Sequence, residues 1–378
     1  MSALTGVRVV HLSALGPIPF AVMLLADLGA DVVRIDRASA PPDLTGLNLQ
    51  DDPRTRGQRG IGIDLKHHEG VELARQLIDQ ADVFLEGMRP GAAERLGLGP
   101  TEMTARNDRL IYGRMTGWGQ DGQRAREAGH DINYLSIAGA LYPIGPASAP
   151  PAVPLNLVGD FGGGGAYLAM GVLAALFQRT VSGQGQVIDC AMVDGAASLT
   201  AMFHGMLATS TWTDDREANL IDGGAPFYRT YATSDDKYVA VGALEPKFYA
   251  EMMGGLGLDI TEWPQGDRAR WPQQQARMAE VFASATRDHW TRLFAGRDAC
   301  VTPVLTLTEA AAAPELRDRG TFVEWDGLAQ PAPAPRLSAS PPVRRPRSRW
   351  CGDTDEVLAE LGHDGTSIAR LRADGVVA

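Results

Sequence analysis

The sequence predicts an α/β protein, a large Rossmann-like α/β domain interrupted by a smaller α+β domain. Three observations carry that expectation. Short apolar runs alternate with helical stretches through the N-terminal half, the pattern of a parallel or mixed sheet with helices on its faces. Near Asp222 the texture changes to a hairpin followed by helices. Pro331 to Pro346 is too rich in proline for a helix or a central strand, so it reads as an extended connection carrying the chain elsewhere.

Val7 to Leu12 suits a buried strand, punctuated by Gly16 and Pro17. Pro19 to Leu28 is helical in character, Gly29 stops it, and Asp31 to Ile35 is a second strand. The unit recurs loosely as strand Gly60 to Leu65, helix Gly70 to Gln80, strand Asp82 to Leu85, a turn at Arg89-Pro90-Gly91 and strand Leu110 to Met115. A helix entered through four glycines runs from Gly162 to Arg179, and strand Val187 to Ala191 follows a turn. Tyr228 to Thr233 and Lys237 to Gly242 flank Ser234-Asp235-Asp236 as a hairpin. Helices Glu245 to Leu256, Arg277 to Ser284 and Arg287 to Ala295 precede a strand-like Cys300 to Leu305. Asp353 to Leu361 closes the chain as a helix with Asp353, Thr354 and Asp355 as capping candidates. The expected boundaries are 1–200 with 331–378 for the large domain, 201–224 for a linker and 225–330 for the small domain, which shows no obvious complete core.

Composition narrows the function. The 35 basic and 46 acidic residues leave a net charge of −11, which argues against generic nucleic-acid binding. Cys190, Cys300 and Cys351 are far apart and odd in number, so neither a disulfide framework nor a metal site is expected, and a reducing, cytoplasmic setting is. No segment reaches the ~18 unbroken apolar residues of a membrane span. The best candidate, Ala166 to Phe177, ends in Gln178 and Arg179, and no signal peptide is evident in Met1 to Leu12.

The first strand-to-helix turn, Ser13 to Pro19, carries one glycine and two prolines, so it is no dinucleotide cradle, and no Gly-Lys-Ser/Thr marks a P-loop. The richest stretch is Leu157-Val158-Gly159-Asp160-Phe161-Gly162-Gly163-Gly164-Gly165. Four glycines at a helix start can bare amides to an anionic ligand. They equally permit close helix packing. His130 stands among polar neighbours beside Gly129, open to a catalytic or a structural role. Glu245 precedes Pro246 and could simply cap a helix. Arg34, Arg37, Arg59, Arg89 and Arg95 fall at strand ends or in following turns, where several together would form an anion site.

These stretches converge on a family. Gly29 to Asp36, Ile63 to Lys66, Glu86 to Gly91, Met115 to Gln120, Gly129 to Tyr134, Val158 to Gly163, Gly223 to Pro226 and Asp353 to Leu358 stand in order along nearly the whole chain. In them the chain resembles the family III CoA-transferase (CaiB/BaiF) superfamily and, within it, the α-methylacyl-CoA racemases. The racemase resemblance rests on the His130 segment together with Asp160 and Glu245. Met88 departs from it, because an aromatic residue is common there.

The resemblance implies the family III CoA-transferase fold and a 1,1-proton transfer on 2-methylacyl-CoA. His130 and Asp160 would act on opposite faces of C2, with Glu245 of a partner subunit supporting the histidine. Arg37, Ile63, Asp64, Leu65, Lys66, Gly87, Met88, Arg89, Arg95, Gly129, Asp131, Asn133 and Tyr134 would hold the CoA part of the substrate. No separate cofactor or metal is implied, and the assembly would be an interlocked homodimer. Amides of Phe161 to Gly164 are candidate donors to an enolate oxygen. Met192, Met202 and Met206 suit either a tolerant acyl surface or ordinary core packing. Two other functions fit the same resemblance: a CoA-transferase with Asp160 as nucleophile, and a catalytically silent CoA-binding protein.

Overall fold

A computed structural model describes residues 1–39 and 52–378. The chain divides into two compact units, the first comprising Met1–Ala138, Leu155–Leu199 and Gly320–Ala378, the second Gly139–Pro154 and Thr200–Arg319.

The first unit is built on β1 (Arg8–Leu12), α1 (Pro17–Asp27), β2 (Asp31–Arg37), β3 (Gln58–Ile63), α2 (His68–Asp79), β4 (Val83–Glu86), α3 (Ala92–Arg95), α4 (Pro100–Arg106), β5 (Ile111–Thr116) and α5 (Asp131–Ile137). A π-helix (Leu157–Ala166), α6 (Tyr167–Ser182), β6 (Gln186–Ala191) and α7 (Met192–Leu199) follow. The strands form one parallel sheet in the order β3-β2-β1-β4-β5-β6. Both faces of its central strands are covered, which is why they read as near-continuous apolar runs. Val10, Val33, Ile35, Ile61 and Phe84 face α2, and Val9, Val32, Val83 and Leu85 face α1 and α6. α2 meets the sheet through Leu73, Ala74, Leu77 and Ile78, a one-sided stripe at helical spacing.

The π-helix and α6 run on as one helix, Leu157–Ser182, long and apolar enough by length and composition to cross a membrane. Its apolar run is nonetheless broken by Asp160 and ends at Gln178 and Arg179, short of the ~18 unbroken apolar residues of a span, in keeping with the sequence expectation. Leu168, Ala169, Val172 and Ala175 seat one side of α6 in the sheet core, and Gly183 ends it at φ 75°.

The second unit holds α8 (Ala201–Ala208), β7 (Tyr228–Ala232), β8 (Tyr238–Gly242), α9 (Pro246–Gly255), α10 (Trp271–Ala283), α11 (Arg287–Phe294), β9 (Val301–Pro303), α12 (Leu307–Ala312) and α13 (Pro314–Asp318). The expected hairpin is β7–β8, and β9 joins it antiparallel. The unit has a core of its own, in which Phe227, Tyr231, Tyr249, Met253, Trp271, Phe282 and Trp290 pack together. Sequence inspection missed this core because its aromatics are scattered over separate helices.

The chain then returns to the first unit through β10 (Phe322–Trp325), β11 (Leu328–Pro331), α14 (Thr354–Glu360) and α15 (Gly365–Ala373). Gln330, 1% exposed, accepts from Arg56 at 3.2 Å, and Arg56 is paired bidentately with Asp27 at 2.8 and 2.5 Å. That buried anchor places the β10–β11 hairpin in the first unit, whereas the sequence expectation put 225–330 together. Gly139–Pro154 groups with the second unit, and 201–224 holds α8 instead of a bare linker. The proline-rich stretch is extended, with the Val343 amide donating to Asp27 O and Pro346 O accepting from Gly57 N. Val357, Leu358 and Leu371 complete the core on the α2 side of the sheet.

Candidate active site

All six strands end at one edge of the sheet, and the chemistry-bearing residues of the first unit gather there. Strand order reverses between β1 and β4, the point where open α/β sheets leave a ligand crevice. The loops leaving those two strands approach each other: a Cβ on Gly87 would stand 3.6 Å from Ala14 Cβ, and 2.8 Å from Ile18 Cδ1 at the start of α1, whose tip would have to shift.

Arg37 ends β2 and is exposed, Ile63 ends β3, and Asp64, Leu65 and Lys66 follow. The Lys66 amide donates to Asp64 Oδ1 at 3.0 Å. Ile63 is 1% exposed, so only its main chain can face a ligand. Gly87, Met88 and Arg89 leave β4 in a loop fixed by buried Glu86, which accepts from the Met88 amide at 2.6 Å and from Arg114 Nε at 3.0 Å. Burial pushes the Glu86 carboxyl up, partly offset by those two donors. The Met88 side chain packs on the core. Arg89 and Arg95 are exposed.

His130 is exposed at the head of α5, its amide donating to Asn133 Oδ1 at 3.0 Å. Tyr134 turns inward, stacks edge-on against Trp118 and donates its hydroxyl to Gly129 O. Burial raises the Tyr134 hydroxyl, Asp160 adds to the shift and Arg89 opposes it, so this ring lies electrically between the acid and the arginine loop.

Asp160 lies within the π-helix. That geometry turns each amide back to the carbonyl five residues earlier, is rare, and concentrates at functional sites. The Phe161 amide accordingly donates to Asn156 O at 3.2 Å. Asn156 Nδ2 also donates to Asp160 Oδ2 at 3.3 Å. A Cβ on Gly16 would lie 3.0 Å from that same oxygen, and at φ 71° the position already favours glycine. Burial raises the Asp160 carboxyl above the usual carboxylate range. Asn156 opposes the shift, the Asp131 charge adds to it, and His130 and Arg54 oppose it.

Three expectations change here. The amides of Phe161 to Gly164 are turned inside the helix, so they are not donors to an enolate oxygen. The glycines instead permit close packing: a Cβ on Gly163 would stand 2.7 Å from Ala196 N of α7, and one on Gly165 2.7 Å from Pro17 O of α1. Asp131, expected against CoA, is 7% exposed and faces the π-helix. Met192 lies in the sheet core, while Met202 is exposed on α8.

Glu245 belongs to the second unit. It occupies the N-cap position of α9, with Pro246 in the first turn, yet its exposed side chain makes no capping bond. Helix capping therefore does not account for its carboxylate.

Sequence inspection missed Arg54 and Phe20. Arg54 is held bidentately by Asp52, lies 5.8 Å over the Phe161 ring and acts electrostatically on Asp160; Phe20 stacks on that ring at 4.8 Å. No motif marks either residue, because they converge only through folding. Among the described residues no group of histidine, cysteine and carboxylate side chains is arranged to hold a metal.

Residues 4–348 match the model of CoA-transferase family III. The chain belongs to that family. It is 45% identical to the α-methylacyl-CoA racemase of Mus musculus, over 99% of this chain and 97% of that protein. Against the α-methylacyl-CoA racemase of Homo sapiens it is 44% identical with the same coverage. Its fold is similar to the crystal structure of a CAIB/BAIF family protein from Brucella suis, with a TM-score of 0.80, 25% identity and coverage of 95% and 99% of the two chains.

Proposed function

We infer that this family member is an isomerase, interconverting (2R)- and (2S)-2-methylacyl-CoA thioesters by two-base 1,1-proton transfer. The observation that carries this is the placement of half-buried Asp160 at the crevice edge of the sheet, its amide bonded at 2.6 Å to Asp131, the residue next to His130, and its carboxyl raised by burial. Near-full-length identity with two racemases supports the same activity.

One group removes the C2 proton as the C–H electrons pass into the thioester enolate, and the other returns a proton to the opposite face. Two protonation states then serve the two enantiomers: neutral His130 with protonated Asp160, and imidazolium with carboxylate. Reference values of ~3.9 and ~6.5 would favour the ion pair by ~3.5 kcal/mol. Burial of Asp160 narrows that gap from the acid's side. Exposed Arg37, Arg89 and Arg95 supply the charge and the stacking surface that phosphates and adenine require.

The same proposal includes a homodimer whose partner contributes Glu245. Its support is an apolar stripe on α6 left open to solvent, Met170, Leu173, Phe177 and Val181, of which Phe177 is 75% and Val181 82% exposed. α8, equally apolar, buries none of its residues. A reducing, cytoplasmic setting completes the proposal, supported by three cysteines that are all free.

Incubation with one enantiomer of a 2-methylacyl-CoA in deuterated water tests the activity. Deuterium at C2 with loss of optical purity is the expected result. Movement of CoA to an added free acid without exchange identifies a transferase using Asp160 as nucleophile, and neither outcome identifies a silent CoA binder. His130→Ala should remove nearly all exchange; a wild-type rate would overturn the assignment.

A further inference from the structure

Asp131 has no role in the chemistry described so far, and its surroundings are unusual for an acid. It follows His130 directly and is 7% exposed. Its Oδ1 accepts from the Asp160 amide at 2.6 Å, and the Gly159 amide donates to the same carboxylate. Gly159 has to be glycine here, since a Cβ would collide with that carboxylate. The other oxygen, Oδ2, is buried without a hydrogen-bond partner among the described residues.

We propose that Asp131 is a positioning residue for the racemase reaction, a clamp that sets Asp160 against His130. It ties the first turn of the π-helix to the residue next to the imidazole, so the two bases share one rigid connection. The inference rests on the racemase reading of the same site. A clamp alone does not require a charge, because an asparagine oxygen accepts the same two amides. Keeping a buried carboxylate with one oxygen unpaired is unfavourable. Burial raises the Asp131 carboxyl while the two amides oppose that shift, and in its charged form it disfavours a second carboxylate nearby and favours protonated Asp160 for part of the cycle.

The groups acting on Asp160 are Asn156 ahead of the π-helix, His130, Asp131 and Tyr134 from α5, and Arg54 with its partner Asp52 from the Pro53–Thr55 turn. Among the described residues, Asp131 is the one that combines a charge next to Asp160 with a bond to its backbone.

The test compares Asp131→Ala and Asp131→Asn with wild type in the deuterium-exchange assay. Asp131→Ala should lose roughly 100-fold in kcat, the scale of an ångström-sized misplacement, with KM within about 2-fold. Asp131→Asn should recover most of that loss through its side-chain oxygen. Its acid limb should move to lower pH, since removing the neighbouring negative charge lowers the Asp160 pKa. A folded Asp131→Ala with wild-type kcat, or a loss confined to KM, overturns the clamp; the latter would mean substrate contact. An unmoved acid limb in Asp131→Asn overturns the charge effect, and this variant decides the matter if the alanine variant does not fold. Wild type that fails to exchange the C2 proton overturns the racemase reading and this inference together. Exchange by wild type and by both variants at equal rates overturns this inference alone.

Discussion

Gly163→Ala probes whether the backbone contact between the π-helix and α7 sets the position of Asp160. The added Cβ would stand 2.7 Å from Ala196 N and 3.0 Å from Gly195 C, against an ordinary contact distance beginning at 3.4 Å. Both obstacles are backbone, so no side-chain rotation relieves them, and one helix has to move by about 0.7 Å, the difference between 3.4 and 2.7 Å. Overpacking of this kind costs ~1–3 kcal/mol, and the reduced freedom of the unfolded chain returns ~0.4–1 kcal/mol. The net loss spans about 0 to 2.6 kcal/mol, and its middle, about 1.3 kcal/mol, corresponds to a fall in Tm of roughly 3–5 °C for a unit of this size. Asp160 stands three residues earlier, and a shift approaching 1 Å at a catalytic group lowers kcat by roughly 10- to 100-fold. Thermal unfolding and C2 exchange should therefore fall together. Gly254→Ala on α9, where a Cβ meets nothing within 4 Å, is the control and should be neutral or stabilising. Unchanged Tm and unchanged exchange in Gly163→Ala would refute the packing argument.

Three further outcomes follow from particular side chains. His11, 1% exposed between Leu12 O and Gln58, is pushed down to about 4 by burial and by the Arg34 charge. The folded state holds it neutral, so stability is lost as pH falls from ~6.5 towards 4, by ~3 kcal/mol in denaturant titrations; His11→Asn should flatten that loss, and an identical pH dependence would contradict it. Arg287 holds the Glu309 carboxyl down at about 2 through bonds of 2.7 and 2.9 Å. Its stabilisation is present above ~4.5 and disappears as pH falls through 2, so Glu309→Gln should lower Tm at pH 7 and match wild type near pH 2. Phe177→Glu with Val181→Glu places two charges on the α6 stripe and should convert a dimer to monomer by analytical ultracentrifugation; monomeric wild type would end the homodimer proposal.

Much of the first unit was legible along the chain, for a physical reason. Strands covered on both faces are apolar throughout, and helices lying on a sheet carry one apolar stripe, so β1, β2, β4, β5 and α2 announce themselves locally. The candidate bases are legible through the family resemblance of Gly129 to Tyr134 and Val158 to Gly163, whereas the residues alone leave His130 open to a catalytic or a structural role. The second unit's core was not legible, since Phe227, Tyr249, Trp271 and Trp290 meet only after its helices fold onto β7 and β8.

By itself, then, the sequence determined an α/β framework and a first turn without a dinucleotide fingerprint, and through its family resemblance it named His130 and Asp160 as candidates to move a proton. Only the tertiary structure decided what the glycine run is for. Four glycines can expose amides or let backbones approach, and nothing local distinguishes the two. The π-helix turns those amides inward and sets Gly163 against Ala196, so close approach is their use. It also turned Asp131 from a surface ligand into a buried partner of the Asp160 amide. A carboxylate's role depends on which amides the fold brings to it, and those lie 28 and 29 residues further along the chain.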